Sequence, residues 1–158
     1  MKKWTAVILV IIALYFGFLQ PSYSEVGITA NEIKIGSFCP LTGFASYFGP
    51  SLRNGLMMAV DEVNNSGGIE GRKLKVIMED DACDATKAVA ACKKIIVRDK
   101  VFMIFGGPCA HSVISACKLA DEEKIPLMVM SSAEELVKTY HKYCFIIGMT
   151  TWTQSRLM

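Results

Sequence analysis

No Cys-x-x-Cys pair occurs among Cys39, Cys83, Cys92, Cys109, Cys117 and Cys144, which speaks against zinc-ribbon and thioredoxin chemistry. Gly106-Gly107 lacks the Lys-Ser/Thr that completes a phosphate loop, and no G-x-G-x-x-G is present, so a nucleotide cradle is not indicated. The acidic group Glu79, Asp80, Asp81 and Asp84 lacks the alternating ligands and closing glutamate of a calcium loop, so no metal is expected. No Ser/His/Asp set sits on a recognisable elbow. The reading is therefore of a protein without catalytic residues, cofactor or metal. Net charge is also nearly absent. Removing Lys2 and Lys3 takes the 17 basic side chains to 15, equal to the 15 acidic ones. A neutral chain has nothing to draw nucleic acid or an anionic membrane.

What is present begins with an export signal. Lys2 and Lys3 form a positive start, and the 16 residues Trp4 to Leu19 carry no charge. Pro21 and the small residues of Ser22-Tyr23-Ser24 follow, which places a signal-peptidase cut after Ser24. The uncharged run is shorter than the roughly 20 residues a spanning helix needs. Residues 1–24 are thus read as a cleaved signal. Residues 25–158 are long enough for one domain with its own core.

The remaining sequence alternates between two periods. Strands are expected at Ile33 to Phe38, Lys73 to Glu79, Val101 to Phe105, Pro126 to Met130 and Tyr143 to Gly148. Helices are expected between them. From Pro50 to Asn65, the residues Leu52, Leu56, Ala59, Val60 and Val63 share a face, and Gly67-Gly68 can close the end. Asp84 is a natural N-cap for a helix from Ala85 to Asp99. A third helix is expected from about Ala110 to Glu123, and Ser132 could cap a short one through Lys138. Met57, Met58, Met128 and Met130 read as core packing. Cys92 and Cys117 lie on apolar helix faces as small buried hydrophobes, whereas Cys39 and Cys144 fall in strands with their pairing open. Thr150 to Gln154 reads as a loop entering a new helix near Ser155. Strand-helix alternation implies an α/β fold with a doubly wound, mostly parallel sheet and helices on both faces. Such sheets bind ligands beyond the carboxyl ends of their strands, which selects the loops 39–49, 80–84, 106–112 and 130–133.

These loops carry a pattern. Ile33 to Gly43 (IKIGSFCPLTG), Asn54-Gly55, Val63-Asn64 with Gly67-Gly68-Ile69, Glu79-Asp80-Asp81 with Asp84, Val101 to Cys109 and Lys124-Ile125-Pro126 occur in order. Together they resemble the type I periplasmic solute-binding proteins of ABC transporters, in the leucine/isoleucine/valine-binding branch. The resemblance implies two α/β lobes that close on a solute, with residues 25–158 covering most of the first lobe as an N-terminal portion. It implies a periplasmic, monomeric protein that delivers an amino acid or similar solute to a membrane permease. The same fold also serves as the extracellular ligand-binding part of sensors. It implies a disulfide between Cys83 and Cys109.

The resemblance also assigns a ligand set. Phe48, with its neighbour Tyr47, is placed against the apolar part of the solute, or else packs on its own lobe. Ala110, His111 and Ser112 open a helix whose free N–H groups suit a carboxylate. Ala110 stands where the family carries a hydroxyl, and His111 either reaches a ligand oxygen or faces solvent. Ser131, Ser132 and Ala133 follow the fourth strand; Ser131 keeps a backbone role, while Ala133 replaces a threonine. A missing charge-assisted hydrogen bond costs roughly 1.5–3 kcal/mol. The expected solute is accordingly a branched-chain amino acid or a related small carboxylate or amide.

Overall fold

The computed structural model describes residues 25–148 and Arg156. The signal segment and the loop expected at Thr150 to Gln154 lie outside the described residues. Five strands form one all-parallel sheet: β1 (Glu32–Cys39), β2 (Lys73–Asp80), β3 (Met103–Gly106), β4 (Leu127–Val129) and β5 (Cys144–Ile146), in the spatial order β2-β1-β3-β4-β5. Between them run α1 (Gly49–Asn65), α2 (Ala85–Lys93, continued as a π-helical turn over Lys94–Asp99), α3 (Ala110–Glu123) and the single turn α4 (Glu135–Lys138). The sheet grows from β1 towards β2 and then reverses towards β3. Right-handed crossovers therefore put α1 on one face and α2 with α3 on the other.

The second face holds the main core. Phe38, Ile104, Leu127 and Val129 from the strands meet Ala88, Cys92 and Ile95 of α2 and Val113, Ala116 and Cys117 of α3. Packing is tight enough to dictate glycine. A Cβ on Gly36 would come within 2.2 Å of the Ile95 side chain, and one on Gly106 within 2.8 Å of the Phe38 ring. The opposite face is thinner, because α1 covers only β1 and β2. The paired row Phe105, Met128, Phe145 is left partly open, with Phe145 52% exposed.

That asymmetry corrects part of the sequence reading. On α1 only Gly49 and Val60 are buried; Leu52, Leu56 and Val63 are half-buried and Ala59 is exposed. Met57, Met58 and Met130 are exposed rather than core, and Met130 lies in the loop just past the end of β4. The caps follow expectation at two places. Asp84 accepts the Lys87 amide at 2.8 Å, and α1 ends at Ser66 with Gly67 at φ +103°. Ser132 does not cap α4, which begins after Glu134 without a side-chain cap. Cys117 is more than a small hydrophobe: it is bonded to Cys144, joining α3 to the edge strand β5. The strand and the helix were each legible, but their adjacency across 27 residues was not. No described helix is long and apolar enough to cross a membrane.

Candidate functional site

The carboxyl ends of β1 and β2 are joined by one carboxylate. Asp80, last residue of β2, accepts the Leu41 amide at 2.8 Å, the Thr42 amide at 3.2 Å and the Ala82 amide at 2.9 Å on Oδ1. The Thr42 hydroxyl donates to its Oδ2. Partial burial pushes this carboxyl upward, but the bonds from Thr42, Ala82 and Leu41 outweigh it and hold it below the ordinary carboxylate range. Asp80 thus ties the loop after β1 to the loop after β2. The next residues, Ala82 and Cys83, both have left-handed backbones, at φ +46° and +58°. Such a pair is unfavourable outside glycine. It is pinned by the Asp80 contact, by the Asp81 carboxylate accepting the Cys83 amide at 3.3 Å, and by the Cys83–Cys109 disulfide.

That disulfide forms part of the wall of a cavity of about 520 Å³. Phe44, Ala45, Tyr47 and Phe48 line it from the loop after β1, the rings of the last two in tilted contact with centroids 4.2 Å apart. Pro108 and Cys109 line it from the exit of β3. Met130, Ser131 and Ser132 come from the loop after β4, and Ile147 with Gly148 from the end of β5. The wall is mostly apolar and none of these residues is charged. The geometry is that of a small-molecule pocket at strand ends.

A polar edge completes it. Cys109 is both a lining residue and the N-cap of α3, and no side chain caps that helix. Its first intrahelical bond runs from the Val113 amide to the Cys109 carbonyl, which leaves the amides of Ala110, His111 and Ser112 without intrahelical acceptors. Ser131 is only 3% exposed, and its Oγ accepts the Ala133 amide at 3.3 Å.

A second cavity, of about 620 Å³, opens at the other end of the sheet between Val26, Ile96, Val97, Phe102 and Ile125. It is the larger of the two, but it lies at the amino ends of β3 and β4, where α2 and α3 finish and present carbonyls. The cavity at the carboxyl ends is the one the topology favours.

The chain matches the family model described as periplasmic binding protein over residues 32–158. The chain belongs to the periplasmic binding protein family. It is 32% identical over 133 residues to the leucine-, isoleucine-, valine-, threonine- and alanine-binding protein of Pseudomonas aeruginosa, a match covering 84% of this chain and 35% of that protein. Among solved structures, it is similar to the branched-chain amino acid transporter substrate binding protein of Streptococcus pneumoniae in complex with isoleucine. There the TM-score is 0.72 at 26% identity, over 76% of this chain and 34% of that one. It is also similar to a solute binding protein of an ABC transporter from Rhodopseudomonas palustris in complex with 3,4-dihydroxybenzoic acid, with TM-score 0.68 and 25% identity, over 75% and 32% of the two chains. The chain spans about a third of the length of the curated relatives it matches.

Within this periplasmic binding protein chain, Tyr47, Phe48, Ser131 and Ser132 come together on the cavity wall beside Cys83 and Cys109. Ala110 and Ser112 sit in the first turn of α3 next to that wall. Ser112 is fully buried with no protein partner for its Oγ. His111 is exposed in the same turn. Ala133 faces inward against the core and reaches the site only through its amide to Ser131. Phe44, Ala45, Pro108 and Met130 lie in loops that the strand-end rule selects, yet none was named as a ligand residue, and Met130 was read as core packing. Ile147 and Gly148 follow β5, whose carboxyl end was not among the selected loops. A more literal application of the rule would have found both.

Proposed function

We propose that this chain forms one face of the solute cleft of an extracytoplasmic binding protein serving an ABC uptake system. The solute is a branched-chain amino acid or a related small carboxylate or amide, and the protein performs no chemistry on it. The observation that carries this reading is the 520 Å³ cavity at the strand ends, where an apolar wall meets the uncapped start of α3. The adjacent rings of Tyr47 and Phe48 would hold the aliphatic part of the solute, with the α3 amides and Ser131 at its polar end. A membrane permease would receive the solute. Residues 1–24 would direct export and be removed, and the two disulfides suit an oxidising compartment outside the cytoplasm.

Isothermal titration of the purified chain with leucine, isoleucine and valine tests the reading. A solute held on one face keeps its other side in water, so binding with Kd of about 1 mM, or roughly 4 kcal/mol, is expected. Phe48→Ala should weaken it several-fold. Micromolar binding would contradict the one-face reading, and the absence of binding by any amino acid, amide or carboxylate would contradict solute binding altogether.

A further inference from the structure

We infer that the Cys117–Cys144 disulfide is a redox-sensitive latch on the strand-end cavity: a dithiol that opens it frees the edge strand β5, and with it one wall of the cavity. Its effect on solute affinity rests on the solute-binding reading, whereas its effect on the wall does not. β5 has three residues and, among the described residues, pairs only with β4. A short edge element of this kind belongs to the part of a fold that opens first. α3 supplies the rest of its hold. Cys117 bonds Cys144, and one turn further along the helix Asp121 accepts from His141 Nδ1 at 2.7 Å and from the Tyr143 amide at 2.8 Å. The far end of β5 is cavity wall, since Ile147 and Gly148 line it. The Ile147 amide donates to the Val129 carbonyl at 3.0 Å, and a Cβ on Gly148 would stand 3.4 Å from the Ser131 carbonyl oxygen. A shift of β5 therefore reaches both its own lining residues and the loop that carries Ser131.

The two disulfides differ in what protects them. Cys83 is pinned in its left-handed backbone by the Asp81 carboxylate, and Asp80 and Asp81 beside it in the chain repel an attacking thiolate. The other bond is flanked in the chain by the exposed Lys118 and Lys142, which attract one. Cys117 is fully buried but Cys144 is half-buried, so the Cys144 Sγ is the point of attack. A thiolate of the dithiol bonds to that sulfur, and Cys117 leaves as a thiolate that takes up a proton. The second thiol of the dithiol then attacks the mixed disulfide and releases Cys144. The protein gains two electrons and two protons, and the dithiol ends as a cyclic disulfide.

Graded dithiothreitol is added to the full chain, and alkylation with peptide mapping identifies the cysteines opened at each concentration. Amide hydrogen exchange and leucine titration are followed on the same samples. The expected result is that Cys117 and Cys144 are alkylated before Cys83 and Cys109 and that exchange at 129–132 and 144–148 rises in step. Leucine binding should weaken by about fivefold, the low end of coupling between linked sites. Cys117→Ala with Cys144→Ala leaves no buried hydroxyl in place of the thiol. It should show the loosened wall and the weaker binding without dithiol, and no further response at concentrations that keep Cys83–Cys109 closed. The wild-type series decides the matter even where that variant does not fold. The inference is overturned if Cys83–Cys109 opens first, if wall exchange stays unchanged with Cys117–Cys144 open, if leucine binds the opened form as tightly as the closed one, or if the variant still responds. If leucine, isoleucine and valine bind neither form, the solute-binding reading fails, and exchange at the wall then decides the latch by itself.

Discussion

Asp80 is the residue on which the site's geometry depends, because its side chain ties the loop after β1 to the loop after β2. Asp80→Ala would leave the Leu41, Thr42 and Ala82 donors without a fixed acceptor. A loss of about 1–2 kcal/mol in urea unfolding is expected at neutral pH. The folded carboxyl titrates below its unfolded value, so its contribution is present above about pH 4 and is lost as pH falls through the folded pKa. The difference between wild type and Asp80→Ala should therefore shrink as unfolding is measured from pH 6 down to pH 3. A difference that grew with acidification would contradict this sign. The sequence marked Asp80 only as one of four clustered acids. Nothing in its spacing could show that its partners lie 38 and 39 residues earlier in the chain.

The cysteines make a second residue-scale case. Cys39 and Cys92 are free and buried. Burial and then the negative charge of Asp81 push the Cys92 thiol up to about 12. Burial, Asp81 and Asp80 raise Cys39 to about 11, with Arg53 opposing. Thiolate is the reactive form. Iodoacetamide at pH 8 should leave both unmodified in the native protein and alkylate both, and no other cysteine, after denaturation without reductant. Mass spectrometry counts the adducts, and four or six of them would refute the disulfide assignment.

At the scale of elements, β5 is the informative one. It has three residues and lies at the sheet edge, and its interior side rests on the Cys117–Cys144 bond. The turn before it is fixed by Asp121, which accepts from His141 Nδ1 at 2.7 Å and from the Tyr143 amide at 2.8 Å. Cys117→Ser with Cys144→Ser should raise hydrogen exchange at 127–129 and 144–147 while leaving β1 and β2 protected. Uniform loss of protection would mean that the bond staples the whole fold rather than the edge. The strands and helices themselves were legible, because their periods differ and glycines and Asp84 punctuate them. What the periods could not show was coverage. Five apolar positions on α1 predict a buried face only if neighbours exist to bury them, and among the described residues no second helix packs on that side of the sheet.

At the scale of the whole molecule, the order β2-β1-β3-β4-β5 brings four loops, distant in sequence, to one end of a parallel sheet. The cavity there was foreseeable from topology alone, and the rule that ligands sit beyond strand carboxyl ends selected most of its lining. The individual contacts were not foreseeable, because which side chain of a loop turns inward depends on tethers such as Asp80 and the Cys83–Cys109 disulfide. The central claim is that solute meets this end of the sheet and not the larger cavity at the other end. Photo-crosslinking with a diazirine analogue of leucine, followed by peptide mapping, tests it most directly. Label on peptides containing 44–48 and 130–132, reduced by competing leucine, is the expected result. Label on 96–102 or 123–126, or label that leucine does not displace, would contradict it.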